Sequence, residues 1–265
     1  MHKNSFDRLG VFRTNPGPRL PVTILVDSSF SMNGVTGGEP TGGEQFFKDG
    51  KMWTPVKGGE TRMKRALSAI KSFAEEIQAD RRAFSAVEMS VVSFDTNVKI
   101  EQDFEPVSDR TKNLPIHVGK GDETNLGRGV KTALALLNRR KKEYSDQEIQ
   151  YYQPQLIILT DGAATDPDIC KEVAQEVQSQ MQQNKLVCLP FVIGNEREYG
   201  ALEFFAWKRQ VLRVDDVKLI QLFQYLSQSV KQTSQATAGS GGKLEIDEIY
   251  KELLGAGFLK RAGGI

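Results

Sequence analysis

Two stretches of this chain share one pattern, an unbroken apolar, β-branched run that ends on an aspartate. PVTILV (residues 21–26) leads into Asp27, and QLIILT (155–160) leads into Asp161. A strand with no polar alternation has to be covered on both faces, which excludes a sheet that is wet on one side. VEMSVVSF (87–94) and LVCLPFVIG (186–194) are further runs of this kind. NVKI (97–100) follows the first of these across an Asp95-Thr96 turn. Between the runs the apolar period changes to three and four. Met63, Ala66, Leu67, Ile70, Phe73, Ala74 and Ile77 form one stripe, and Leu126, Val130, Ala133, Leu134 and Leu137 another. Cys170, Val173, Val177 and Met181 make a third, and Leu219, Leu222, Phe223, Leu226 and Val230 a fourth. A short helix around 200–207 and a strand at 210–214 complete the series. Strands alternating with helices predict an α/β fold, a doubly wound, mostly parallel sheet with helices on both faces.

That pattern occupies residues 21–233, after an N-terminal extension (1–20). Residues 34–60 interrupt it with a glycine-rich insertion that still carries Phe46, Phe47, Met52 and Trp53. A connection this long between a strand and a helix is usually functional. The aromatics predict that it docks somewhere. SQATAGSGG has flexible-linker composition, so 234–265 reads as a linker followed by a possible amphipathic helix with Ile246, Ile249, Tyr250, Leu253 and Leu254 on one face.

Thirty-five basic residues against 34 acidic ones leave a formal charge of +1. No overall field favours nucleic acid or an anionic membrane, and neither is expected as a partner. No stretch approaches the roughly 20 apolar residues of a membrane span, nor does an apolar segment follow the basic N-terminal residues. The expectation is a soluble, cytoplasmic protein. Cys170 and Cys188 lack metal-type spacing and fit small core residues of a reducing compartment.

In a doubly wound sheet, ligands bind outside the carboxyl ends of the strands. Asp27 and Asp161 both stand there. Ser29 and Ser31 follow Asp27 by two and four residues, and Thr124 stands at the mouth of the helix that begins near Leu126. Asp27, Ser29 and Ser31 alone would fit a hydroxyl-rich turn capping a helix. With Thr124 and Asp161 they form an all-oxygen set suited to Mg²⁺ or Mn²⁺ rather than zinc. Other chemistries have little to draw on. His2 and His117 are the only histidines, no G-x-S-x-G surrounds the serines, and GVTGGEPTGG lacks the lysine of a phosphate loop. NRRKKE (138–143) reads as a solvated helix end. Asp166 before Pro167 reads as a helix N-cap followed by its N1 residue.

DSSFS (27–31), ETNLG (123–127) and LTDG (159–162) resemble, in order and spacing, the metal-ion-dependent adhesion site of von Willebrand factor type A domains. VVSFDTNVKI and LFQYLSQSV further resemble the TerY-type members, a bacterial class linked to tellurite resistance and stress operons. The resemblance spans roughly residues 20–233. It implies that Ser29, Ser31 and Thr124 ligate a divalent cation by hydroxyl, and Asp27 and Asp161 directly or through water. It also implies a non-catalytic module in which a protein partner's acidic side chain completes the coordination. A kinase or phosphatase of a bacterial stress or defence pathway is the kind of partner it suggests. The family usually has glycine where this chain has Phe30, so an apolar ring is expected beside the metal. Phe30, Phe46, Phe47 and Trp53 are the candidate partner-binding residues. The alternative is an Mg²⁺- or Mn²⁺-dependent hydrolase or phosphoryl-transfer enzyme using the same ion, for which only Asp122, Glu123 and Asp166 offer a base.

Overall fold

The computed structural model describes residues 17–36, 38–48, 51–121, 123–193, 200–215, 218–235, 246–256 and 259–261. Seven strands form its sheet: β1 (Leu20–Asp27), β2 (Val87–Phe94), β3 (Val98–Pro106), β4 (Gln155–Thr160), β5 (Val187–Ile193), β6 (Leu212–Val214) and β7 (Leu259–Arg261). Their order is β7-β6-β5-β4-β1-β2-β3. Pairing is parallel from β6 through β2, and only the edge strands β3 and β7 run antiparallel. Every residue of β1, β2, β4 and β5 is buried, as their unbroken apolar character demands.

Besides the single helical turn Asp109–Lys112, the α-helices among the described residues are α1 (Arg62–Ala79), α2 (Arg81–Ala86), α3 (Leu126–Asp146), α4 (Pro167–Gln182), α5 (Leu219–Gln235) and α6 (Ile246–Gly255). The chain leaves β1 towards β2 through α1 and later returns through α3 to β4, on the other side of β1. Right-handed crossovers running in opposite directions put the two helices on opposite faces. On one face α1 packs on α5, with Phe73 and Phe223 edge to face at 6.0 Å, and on the other α3 packs on α4.

Several sequence-based boundaries shift. β3 continues to Pro106 rather than stopping at residue 100, because it pairs along β2 through an irregular register. The strand expected at 210–214 begins at Leu212. The helix expected near 200–207 is two 3₁₀ segments, Gly200–Phe205 and Trp207–Arg209. Most of the expected linker (236–245) and of the N-terminal extension (1–16) lie outside the described residues. Beyond them α6 buries Ile246, Ile249, Tyr250 and Leu253, and β7 pairs with β6. Asp247 of α6 accepts hydrogen bonds from Trp207 Nε1 and Lys208 Nζ, both at 2.8 Å.

The amino ends of β1 and β2 are held by a buried ionic knot. Glu88, opposite Pro21, accepts from Arg140 Nε at 2.8 Å and Nη2 at 2.6 Å, and from the Tyr144 hydroxyl. Arg19 lies 3.9 Å from its other oxygen. This knot fastens the end of the sheet opposite Asp27.

Candidate functional site

The connections from β1 to β2 and from α3 to β4 diverge at β1 and β4. A crevice therefore opens where their carboxyl ends lie side by side. The register places Val26 beside Leu159, so Asp27 and Asp161 arrive at one rim from strands 134 positions apart in sequence (161 − 27). Both carboxylates are fully buried.

The oxygens form a connected cluster. Asp27 Oδ1 accepts from the Ser29 amide at 2.7 Å, and Thr160 Oγ1 donates to its Oδ2 at 2.5 Å. The Ser29 and Ser31 hydroxyls lie 3.0 Å apart, and Ser31 Oγ donates to Asp161 Oδ1 at 2.5 Å. The 3₁₀ turn Phe30–Asn33, anchored by buried Met32, aims the two serines at the crevice. Thr124 is held through its backbone, on Thr165 rather than on the cluster. Its amide donates to Thr165 Oγ1 and its carbonyl accepts from the Thr165 amide, each at 3.0 Å. The loop before it is tied down by the Gly119 amide on the Ser28 carbonyl at 2.7 Å. A Cβ on Gly119 would stand 2.0 Å from Asp95 Oδ2, so a larger residue there would push the Asp95 carboxylate aside.

Two buried carboxylates at one rim call for a cation. Burial first, and the Asp161 charge second, push Asp27 up to about 7. Among the described residues no group of three or more His, Cys, Asp or Glu side chains comes together. Hydroxyls would therefore supply much of any ligand set here, which fits a hard ion and not zinc.

Asp166 departs from its expected role. It occupies the N-cap position of α4 but makes no side-chain bond to that helix's amides. Its carboxylate instead accepts from the Gly127 and Arg128 amides of α3, at 3.0 and 2.9 Å. Helix α3, whose N-cap Asn125 makes no side-chain cap bond, thus has its amino end satisfied from another element. Gly127 permits the close approach, since a Cβ would meet the Cys170 amide at 2.6 Å. Glu123 accepts from Asn125 Nδ2 at 3.2 Å, and Asp122 lies outside the described residues.

The insertion folds into a ladder of short antiparallel pairs: Val35–Thr36 with Glu60–Thr61, Glu39–Pro40 with Val56–Lys57, and Phe46–Lys48 with Lys51–Trp53. Its far pair returns to the rim. The Phe30 ring meets Trp53 at 5.3 Å and Phe46 at 6.3 Å, both edge to face, and Lys48 Nζ lies 4.8 Å over it. Lys48 Nζ also donates to the Lys120 carbonyl at 3.0 Å. The cross-strand pair Phe47 and Met52 faces away, 70% and 59% exposed.

Sequence reasoning missed Arg62, the first residue of α1. Its Nη1 donates to Asp161 Oδ2 at 2.7 Å. A signal was available: Arg62, Lys64 and Arg65 crowd the positive end of a helix dipole, which is unfavourable unless carboxylates answer them. Asp161 answers Arg62, while Glu60 answers Lys64 at 3.7 Å and Arg65 at 3.6 Å.

A family model of the von Willebrand factor type A domain matches residues 22–163, a span that contains Asp27, Ser29, Ser31, Thr124 and Asp161. No protein of curated function matches the sequence. Among solved structures, the vWF domain of the type V pili tip protein Mfa5 from Porphyromonas gingivalis aligns with a TM-score of 0.54 at 12% identity, over 84% of this chain and 99% of that one. Proximal thread matrix protein 1 from the mussel byssus aligns at 0.51 and 16% identity, over 80% of this chain. The match covers 48% of the mussel protein, so this chain spans about half of its length. The D319A mutant of the PilB minor pilin from Streptococcus sanguinis aligns at 0.51 and 12% identity, over 82% of this chain and 62% of the pilin. These likenesses show the fold alone. Among the described residues no helix is long and apolar enough to cross a membrane.

Proposed function

The chain belongs to the von Willebrand factor type A domain family, and from that membership we propose that it is a non-catalytic protein-interaction module that grips its partner through a divalent cation. The observation that carries this reading is the linked oxygen cluster of Asp27, Ser29, Ser31 and Asp161 at the β1/β4 crevice. Ser29, Ser31 and Thr124 would hold Mg²⁺ or Mn²⁺ by hydroxyl, with Asp27 and Asp161 bound directly or through water. The ion supplies an open coordination position that a partner's acidic side chain fills.

The arm extends the same face. Phe30 braces it through Phe46 and Trp53, which leaves Phe47 and Met52 as an exposed apolar pair on the outer side of the arm. A partner with a carboxylate for the ion and apolar side chains for that pair matches both. Non-catalytic action is supported by Asp166, whose two carboxylate oxygens are taken by α3 amides. The TerY-type resemblance of VVSFDTNVKI and LFQYLSQSV supports a cytoplasmic role in a bacterial stress or tellurite-resistance pathway, with a kinase or phosphatase as partner.

Calorimetric titration with Mn²⁺, followed by competition with Mg²⁺, tests the reading. One ion per chain is expected in the wild type and none in Asp161→Ala. A partner captured from bacterial cytosol in Mg²⁺ has to be released by chelator and missed by Asp161→Ala. Capture that ignores both would overturn the metal-dependent mechanism.

A further inference from the structure

The Arg62 guanidinium occupies the place in the cluster where positive charge is needed. It donates to Asp161 Oδ2 at 2.7 Å, on a carboxylate that is fully buried, while Arg62 itself is 16% exposed. The fold delivers it there deliberately. The pair Val35–Thr36 with Glu60–Thr61 closes the base of the arm directly before α1. Thr61 caps α1 through the Lys64 amide, and the Arg62 amide donates to the Gly34 carbonyl at 2.9 Å. Gly34 clears the path of the side chain, since a Cβ there would stand 3.3 Å from Arg62 Cζ.

We propose that Arg62 is a resident counter-ion of the adhesion site, holding Asp161 when no metal is bound, so that a divalent cation has to displace it in order to bind. The proposal rests on the metal-binding reading above. A guanidinium on Asp161 Oδ2 and a dication ligated by the same carboxylate compete for one negative charge, and each weakens the other. The arm is thereby coupled to the metal. Its base positions Arg62 through Gly34, and its tip rests on Phe30, so movement of the arm by a partner shifts the guanidinium and changes ion affinity in the same event.

The experiment compares Mn²⁺ titrations of wild type, Arg62→Met and Lys64→Met, together with thermal melts in chelator and in saturating Mn²⁺. Methionine keeps the apolar stem of Arg62 and removes its charge. Lys64, 72% exposed and paired with Glu60, controls for a general change in charge. Arg62→Met is expected to bind Mn²⁺ at least ten-fold more tightly than wild type, and Lys64→Met as wild type does. In chelator Arg62→Met melts below wild type, and saturating Mn²⁺ closes the gap. Equal or weaker binding by Arg62→Met overturns the inference while leaving the metal reading intact. Equal tightening in Lys64→Met also overturns it, because bulk charge then explains the effect. Absence of Mn²⁺ binding in all three proteins overturns both readings.

Discussion

Asp166 offers a sharp test of how the rim is built, because sequence and structure assign it to different helices. Its carboxylate is 9% exposed and accepts from the amides of Gly127 and Arg128 at 3.0 and 2.9 Å. A side-chain cap is worth about 0.5–2 kcal/mol, and a hydrogen bond to a charged group about 1.5–3 kcal/mol. Asp166→Ala removes two such bonds from the positive end of α3. Water can rescue the more exposed Arg128 amide but not that of buried Gly127, so the expected loss is about 2–3 kcal/mol. For a chain of this size that lowers the melting temperature by roughly 4–12 °C. Asp166→Asn keeps one acceptor oxygen and should lose about half as much. Urea denaturation followed by circular dichroism measures both variants, with Mn²⁺ titration alongside. Binding should persist in Asp166→Ala, weakened, because Thr124 hangs on the adjacent Thr165. A loss below about 0.5 kcal/mol, the level of an ordinary surface substitution, would refute the capping argument. Unchanged stability with abolished Mn²⁺ binding would instead make Asp166 a ligand.

Glu88→Ala should destabilise by about 3 kcal/mol, since it removes the buried carboxylate that answers Arg140 and lies beside Arg19, leaving Arg140 its pair with Glu143 at the surface; chemical denaturation reads this, and a loss below about 1 kcal/mol contradicts it. Gly127→Ala should cost about 1–3 kcal/mol by overpacking, because its Cβ would lie 2.6 Å from the Cys170 amide and force α3 and α4 apart. Without metal, stability should fall as pH rises. The folded state holds the Asp27 proton up to about 7, whereas the unfolded chain releases it near the ordinary value of 3.8. The decline spans that window and levels off above it. Denaturation in chelator at pH 5 and pH 8 measures it, and Asp27→Asn should flatten the slope.

The sequence by itself determined the layered α/β architecture and pointed to Asp27, Ser29, Ser31 and Asp161, which the fold links at one edge of the sheet. Unbroken runs such as PVTILV and QLIILT can be satisfied only between two layers of helices, and three- and four-residue stripes can be satisfied only as those helices. An aspartate at the end of two such runs lands at the carboxyl edge of the sheet, where a doubly wound topology opens its crevice. These are local and periodic signals, carried by neighbours in the chain.

What only the tertiary structure decided is pairing between distant segments. Arg62 meets Asp161 across 99 positions, Asp166 caps α3 rather than its own helix, and Phe30 is covered by Trp53 and Phe46 of the arm. The helix of the tail joins the edge of the fold through Trp207 and Lys208. Each of these contacts depends on loop closure and on which strand lies beside which. A side chain's final partner is chosen by that geometry, and it leaves no period in the order of the residues.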